Sequence, residues 1–195
     1  MKKLLIVLVV LVGLFLWLNP LAKYNQMVVL DANVEGAWSQ VENQYQRRLD
    51  LVPNLVETVK GAADFEQDTL TQVIEARASA TKTDINLKDA QEFATFQESQ
   101  SGLSSALSRL MVVMEQYPQL TATSQFSDLR VQIEGTENRI ATERQRFNEV
   151  AKAYNIYIRQ IPNNLWAALF GFDQANLFES NDGAEAAPKV DFSTN

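Results

Sequence analysis

The residues with the chemistry to build a site are polar side chains set in helical stripes that are otherwise apolar. Along 126–161, Phe126, Leu129, Ile133, Ile140, Phe147, Val150, Tyr154, Tyr157 and Ile161 recur at three-four spacing, and the same stripe passes through Glu137 and Arg144. Arg48 and Asp50 close an earlier stripe, Glu57 and Glu66 flank the next, and Arg77 stands near its end. An acid–base cluster of this kind inside a helical bundle could hold a small ligand. A carboxylate pair at the right separation, with one pKa raised, could hydrolyse a glycosidic bond. The same residues could instead be ion pairs that fix helix register, adding little net stability yet costly to break.

The register reading is preferred. With 24 acidic residues on helices, carboxylate pairs at catalytic distances arise by chance. Trp38 and Trp166 fall at helical spacing with other hydrophobes, which suits core better than a sugar platform. There is no histidine, the usual general base near neutral pH and the commonest metal ligand, and no cysteine to act as nucleophile or metal ligand. "GLSSALS" (102–108) lacks both the lysine and the preceding strand of a phosphate loop. The expectation is a non-enzyme with no catalytic, cofactor or metal residues, in which Arg48, Asp50, Glu57, Glu137 and Arg144 form a structural polar seam.

The elements that must position these residues are helices, because strand alternation is nowhere sustained. Residues 4–18, "LLIVLVVLVGLFLWL", are uninterrupted hydrophobes, and the run 4–22 is 19 residues long. At ~1.5 Å per residue that is about 28 Å of helix, close to a hydrocarbon core of ~30 Å. A cleaved secretory signal is the rival reading. "NPLAKYN" offers no good small-x-small cleavage site, however, and helical periodicity resumes at Tyr24 without a spacer. The expectation is an uncleaved transmembrane anchor over 1–23, contacting the membrane through 4–22. By the positive-inside rule, Lys2 and Lys3 favour an N-terminus in the cytoplasm and the remainder of the chain outside.

Beyond the anchor the stripes predict helices over 24–51, 53–80, 88–116 and 124–160, an all-α, antiparallel up-down four-helix bundle with long helices. The boundary between the first two rests on Pro53, which would cost ~3 kcal/mol or more inside a helix and little in a first turn. A break there is favoured over a kink, with Asp50 as the cap. Asp84 or Asn86 is the expected cap of the third helix and Thr123 or Ser124 of the fourth. Residues 161–173 predict a short apolar helix in which Trp166, Phe170 and Phe172 are candidate partner contacts. Residues 174–195 predict an acidic mobile tail, with Phe178, Val190 and Phe192 as isolated hydrophobes able to anchor it.

With Lys23 counted outside the apolar run, removing Lys2 and Lys3 from the 17 basic residues leaves 15 against 24 acidic ones, a net charge of −9 beyond that run. Such a surface repels nucleic acid and anionic lipid and suits a partner with a basic face.

"AWSQVENQYQRRLDLVPNLVETVKG" (37–61), "ENRIATERQRFNEVAKAYN" (137–155), "IPNNLWAALFGF" (161–172) and "KVDF" (189–192) together resemble the LemA family of bacterial membrane-anchored proteins. The resemblance implies an N-terminal transmembrane helix and a long-helix antiparallel bundle, and it brings no catalytic residue to carry over. Many relatives have a histidine–glutamate pair where this chain has Phe65 and Glu66, so no histidine-dependent role transfers to that spot. The expected function is a membrane-tethered interaction or scaffold protein of the envelope, binding another protein or its own copies. The alternative is a small-ligand sensor or carboxylate-dependent enzyme with its site inside the bundle.

Overall fold

The computed structural model describes residues 2–60, 66–82 and 84–179, with residues 14–19 described by backbone alone. All its regular elements are helices: α1 (Lys2–Lys60), α2 (Gln67–Ser79), α3 (Ala90–Met114), α4 (Pro118–Thr121), α5 (Ser124–Arg159) and α6 (Asn163–Phe170). No strand occurs among the described residues.

The expected hairpin at Pro53 is not there. α1 runs through Pro20 and Pro53 to Lys60 as one helix of 59 residues. Two features make Pro53 tolerable. Val52, Leu55, Val56 and Val59 are all buried, so the apolar stripe that holds α1 to its neighbours continues past the proline. Proline also lacks the N–H that would bond the Leu49 carbonyl four residues back, and that carbonyl instead accepts from Arg77 Nε on α2 at 3.0 Å. The gap left by the proline thus becomes a docking point for the next helix. This predicts a coupled pair. Arg77→Ala should cost about 1–3 kcal/mol while Leu49 is without its intrahelical partner. In a Pro53→Ala background, where that partner returns, the same change should cost at least about 1 kcal/mol less. A urea-unfolding double-mutant cycle that shows simple additivity would remove this account.

α2 is accordingly shorter than the helix expected over 53–80; residues 61–65 lie outside those described. Asp89, rather than Asp84 or Asn86, caps α3 by accepting from the Glu92 N–H at 2.9 Å. Asn86 Oδ1 accepts instead from the Lys88 N–H two residues on, a local turn that precedes the helix. Thr123 caps α5 through the Phe126 N–H.

Pairwise contacts fix helix directions. Lys23 with Tyr157, Trp38 with Phe147 and Arg48 with Glu137 make α1 and α5 antiparallel. Gln72 with Arg109 and Ala80 with Gln100 do the same for α2 and α3. α3 runs alongside α1 in the same direction, since Trp38 meets Phe93 and Arg48 meets Gln100.

The core divides into two apolar clusters at different levels of these helices. The first is built from Leu49 to Val59 of α1, with Leu70 and Val73 of α2, Leu103 to Met114 of α3, and Phe126 to Ile133 of α5. The second gathers Met27 to Tyr45 of α1, Phe93 and Phe96 of α3, Ile140 to Ile158 of α5, Ala167, Ala175 and Phe178.

The C-terminal part departs from the mobile tail expected from residue 174. Gly171, at φ +76°, ends α6 in a left-handed conformation that glycine adopts without strain. Residues 172–179 then run back along α5 as an extended strap with Ala175 and Phe178 buried. Asn155 and Asn148 each clamp the strap backbone twice, donating to the Ala175 and Phe178 carbonyls and accepting from the N–H groups of the same residues, at 2.8–2.9 Å. An acidic composition suggested a solvated chain, but backbone bonds to asparagine side chains do not depend on composition. The rest of the expected tail, 180–195 with Val190 and Phe192, lies outside the described residues.

Among the described residues no helix is long and apolar enough to cross a membrane. The side chains of 14–19, inside the run expected to span, are outside those described. The side chains from Leu4 to Val12 project into the surroundings, 50–79% exposed.

Candidate functional site

Arg48 is the centre of the polar seam. It is only 1% exposed, and it sits on α1 between Tyr45 of one apolar cluster and Leu49 of the other. Gln100 occupies the corresponding place on α3, between Phe96 and Leu103, and Thr136 and Glu137 on α5, between Ile133 and Ile140. The seam is therefore a polar layer separating two apolar ones.

Within it Arg48 Nη1 donates to Glu137 Oε1 at 2.8 Å and to Ser104 Oγ at 2.6 Å. Nη2 donates to the carbonyl and to the side-chain oxygen of Gln100. Gln100 Nε2 in turn donates to the Ala80 carbonyl at the end of α2, and Ser104 Oγ to Glu137 Oε2 at 3.3 Å. One guanidinium thus ties α1 to α3 and α5 and, through Gln100, to α2. Arginine suits the position because its planar fork offers five donors in fixed directions. Four of them are used, and Nε has no partner in the structure. The guanidinium also lies 5.1 Å from the Tyr45 ring centroid. Burial pushes the Tyr45 hydroxyl pKa up, against the opposing pull of Arg144 and Arg48.

The layer opens on one side into a groove of about 670 Å³ between α3 and α5. Arg48, Glu137 and Arg144 line it from one side, Gln97, Glu98 and Ser101 from the other, and Glu179 of the strap closes one end. Arg144 stacks its guanidinium 4.4 Å from the Phe178 ring centroid and donates to the Glu179 carbonyl.

Of the residues singled out from sequence, Arg48 and Glu137 meet directly and Arg144 shares their groove. Asp50 does not join them: it is exposed and accepts from Gln46 one turn earlier. Glu57 also stays apart, 71% exposed and paired with Lys60. Glu66 is exposed at the start of α2. Trp166 and Phe172 are half-buried and Phe170 is 40% exposed. Phe170 and Phe172 meet the Tyr24 ring edge-on at 5.0 and 5.7 Å, and Trp166 stacks on Phe170. Sequence reasoning missed Gln100 and Ser104. The signal was the seven-residue gap between Phe96 and Leu103, which helical spacing fills at 100. No group of three or more potential metal ligands occurs among the described residues.

These features define a long-helix, all-α protein with a polar layer centred on Arg48 inside its apolar core. The chain belongs to the LemA family, whose model matches residues 37–192. It is similar to magnetosome protein MamQ 2 of Paramagnetospirillum magneticum, 26% identical over 184 residues that cover 85% of this chain and 68% of that protein. The magnetosome protein MamQ of Magnetospirillum gryphiswaldense is 24% identical with the same coverage. Protein LemA of Metamycoplasma hominis is 20% identical over 171 residues, covering 88% of this chain and 75% of its own.

Proposed function

We propose that this chain is a membrane-tethered, non-enzymatic scaffold of the bacterial envelope, in which α1, α2, α3 and α5 make an up-down four-helix bundle. The observation that carries this reading is the continuity of α1: the apolar run 4–22 and the packed segment from Tyr24 to Lys60 are one helix. A span built this way would hold the bundle at a fixed angle to the bilayer, without the flexible linker that would let a catalytic domain search for substrate. Lys2 and Lys3 favour a cytoplasmic N-terminus and an extracytoplasmic bundle. The polar seam supports a structural role, since both oxygens of Glu137 and four donors of Arg48 are engaged within the layer. The relatives named as magnetosome proteins favour a part in an assembled envelope structure. The acidic bundle would meet a partner with a basic face.

Two measurements test this. Full-length chain should stay in the membrane pellet after alkaline carbonate extraction, and a chain lacking residues 2–22 should not. Photo-crosslinkers at Val112 and Val131, both 64% exposed on the end of the bundle away from the run, should capture one dominant envelope protein in living cells. Release of the full chain by carbonate would end the tether reading. Absence of any protein adduct at either position would end the scaffold reading.

The open groove with the unpartnered Arg48 Nε supports a second reading, a sensor of small polar ligands. A ligand present at 100 times its Kd would stabilise the fold by ~2.7 kcal/mol, readily seen as a raised melting temperature. Unchanged melting across a panel of envelope sugars, peptides and organic acids would leave the sensor without support.

A further inference from the structure

We infer that Leu165 and Leu169 form a membrane-resting shoulder that sits in the lipid headgroup region beside the tether. This rests on the tether reading above. Both residues lie within α6 four positions apart and so share one side of the helix, and they are 66 and 68% exposed. The opposite side of α6 is accounted for: Asn163 and Ala167 are buried against the bundle.

What covers the exposed side follows from where α6 is held. Phe170 packs on Tyr24, only two residues past the end of the apolar run. At ~1.5 Å of rise per residue that is about 3 Å along α1, so a bilayer centred on 4–22 has its headgroups at the level of α6. The side chains at this level have the composition of a membrane interface. Tyr24, Tyr157, Trp166, Phe170 and Phe172 form an aromatic group of the kind that favours headgroup depth. Lys23 lies over the Tyr157 ring and Arg159 ends α5, so two cations stand where lipid phosphates would lie. α6 itself, "NNLWAALF", carries no charge. With an apolar outer side, Trp166 among its residues and a place at the membrane end of the bundle, it suits headgroup depth through its aromatic and aliphatic side chains. Lys23 and Arg159 beside it supply the charge that α6 lacks.

Because the chain has no cysteine, single cysteines at Leu165 and Leu169 can carry an environment-sensitive fluorophore. Both positions are largely exposed, and a circular dichroism spectrum checks that helicity is kept. The full chain is placed in vesicles of phosphatidylcholine and phosphatidylglycerol, with Val112→Cys and Val131→Cys as membrane-distal controls. Labels at 165 and 169 should be quenched several-fold more strongly by brominated lipid than the controls, and several-fold less by aqueous iodide. Equal iodide access at all four positions, in chain that resists carbonate extraction, would overturn the shoulder and leave the tether intact. Extraction by carbonate would instead remove the tether, and the shoulder with it. Protection from iodide without lipid quenching, rising with the ratio of protein to lipid, would also overturn it by showing that a second copy covers α6.

Discussion

Glu137→Leu is expected to destabilise the protein by about 3 kcal/mol, and Arg48→Met by only about 1–2 kcal/mol. The asymmetry comes from where each charge is left. Removing Glu137 strands a guanidinium that is 1% exposed, still held by Ser104 and Gln100 but facing no anion. Removing Arg48 strands a carboxylate that is 36% exposed and reaches water through the groove. Methionine also fills much of the space of the arginine stem, while Ser104 and the Gln100 side chain lose one bond each. Together the two changes should cost less than their sum, because the apolar pair leaves no buried charge unpaired. Urea unfolding of the full chain in a nonionic detergent, followed by circular dichroism, measures all three. A larger loss for Arg48→Met than for Glu137→Leu would show that the guanidinium's packing, not its charge, holds the layer. Additive losses would show that the pair is not a unit.

The same layer shows what could be read from the sequence and what could not. Helical spacing located the seam, because Arg48, Glu137 and Arg144 interrupt stripes that otherwise contain only hydrophobes. It could not say which interruptions meet. Asp50 and Glu57 lie beside the same stripes but project from the outer side of α1, and a shift of one position on a helix turns a side chain by about 100°. Pro53 misled for a different reason. Its local cost is genuine, and the compensation comes from Arg77, a residue 24 positions later in sequence whose reach to the Leu49 carbonyl no local rule contains. α6 was recognisable as an apolar helix with a proline start. The largest side chains, Trp166, Phe170 and Phe172, drew attention as contacts for a partner. Phe170 and Phe172 meet Tyr24 and Trp166 stacks on Phe170, while Phe170 keeps 40% of its surface open and the smaller Leu165 and Leu169 are more exposed still. Phe178 stood out as an isolated hydrophobe in an acidic stretch. The asparagines that seat its segment look like ordinary polar positions of α5, and only the fold brings them to the strap.

Phe178→Ala is expected to cost about 3 kcal/mol, at the low end for loss of a buried phenylalanine. The ring is 6% exposed and closes an aromatic box, with centroids 5.0 Å from Phe93, 5.6 Å from Phe147 and 5.9 Å from Trp38. Arg144 covers its remaining face. The loss is capped because the strap can leave as a unit. Once its docking free energy is spent, residues 172–179 detach while α1, α3 and α5 stay packed. Two signatures separate this from general weakening of the core. The emission of Trp38, stacked at 19° to Phe178, should shift to the red before helicity falls in urea, a change a Trp17→Phe, Trp166→Phe background isolates. Limited proteolysis should cut first between Phe172 and Glu179. Leu177→Ala, at a residue 37% exposed in the same strap, should change stability by less than about 0.5 kcal/mol. Asn148→Asp keeps an acceptor for the Phe178 N–H but sets a carboxylate oxygen against its carbonyl, so it should release the strap by a different route with the same cleavage pattern. If Phe178→Ala instead lowers fluorescence and helicity together, with no preferred cleavage, the strap is an inseparable part of the core and its docking cannot be a separate equilibrium.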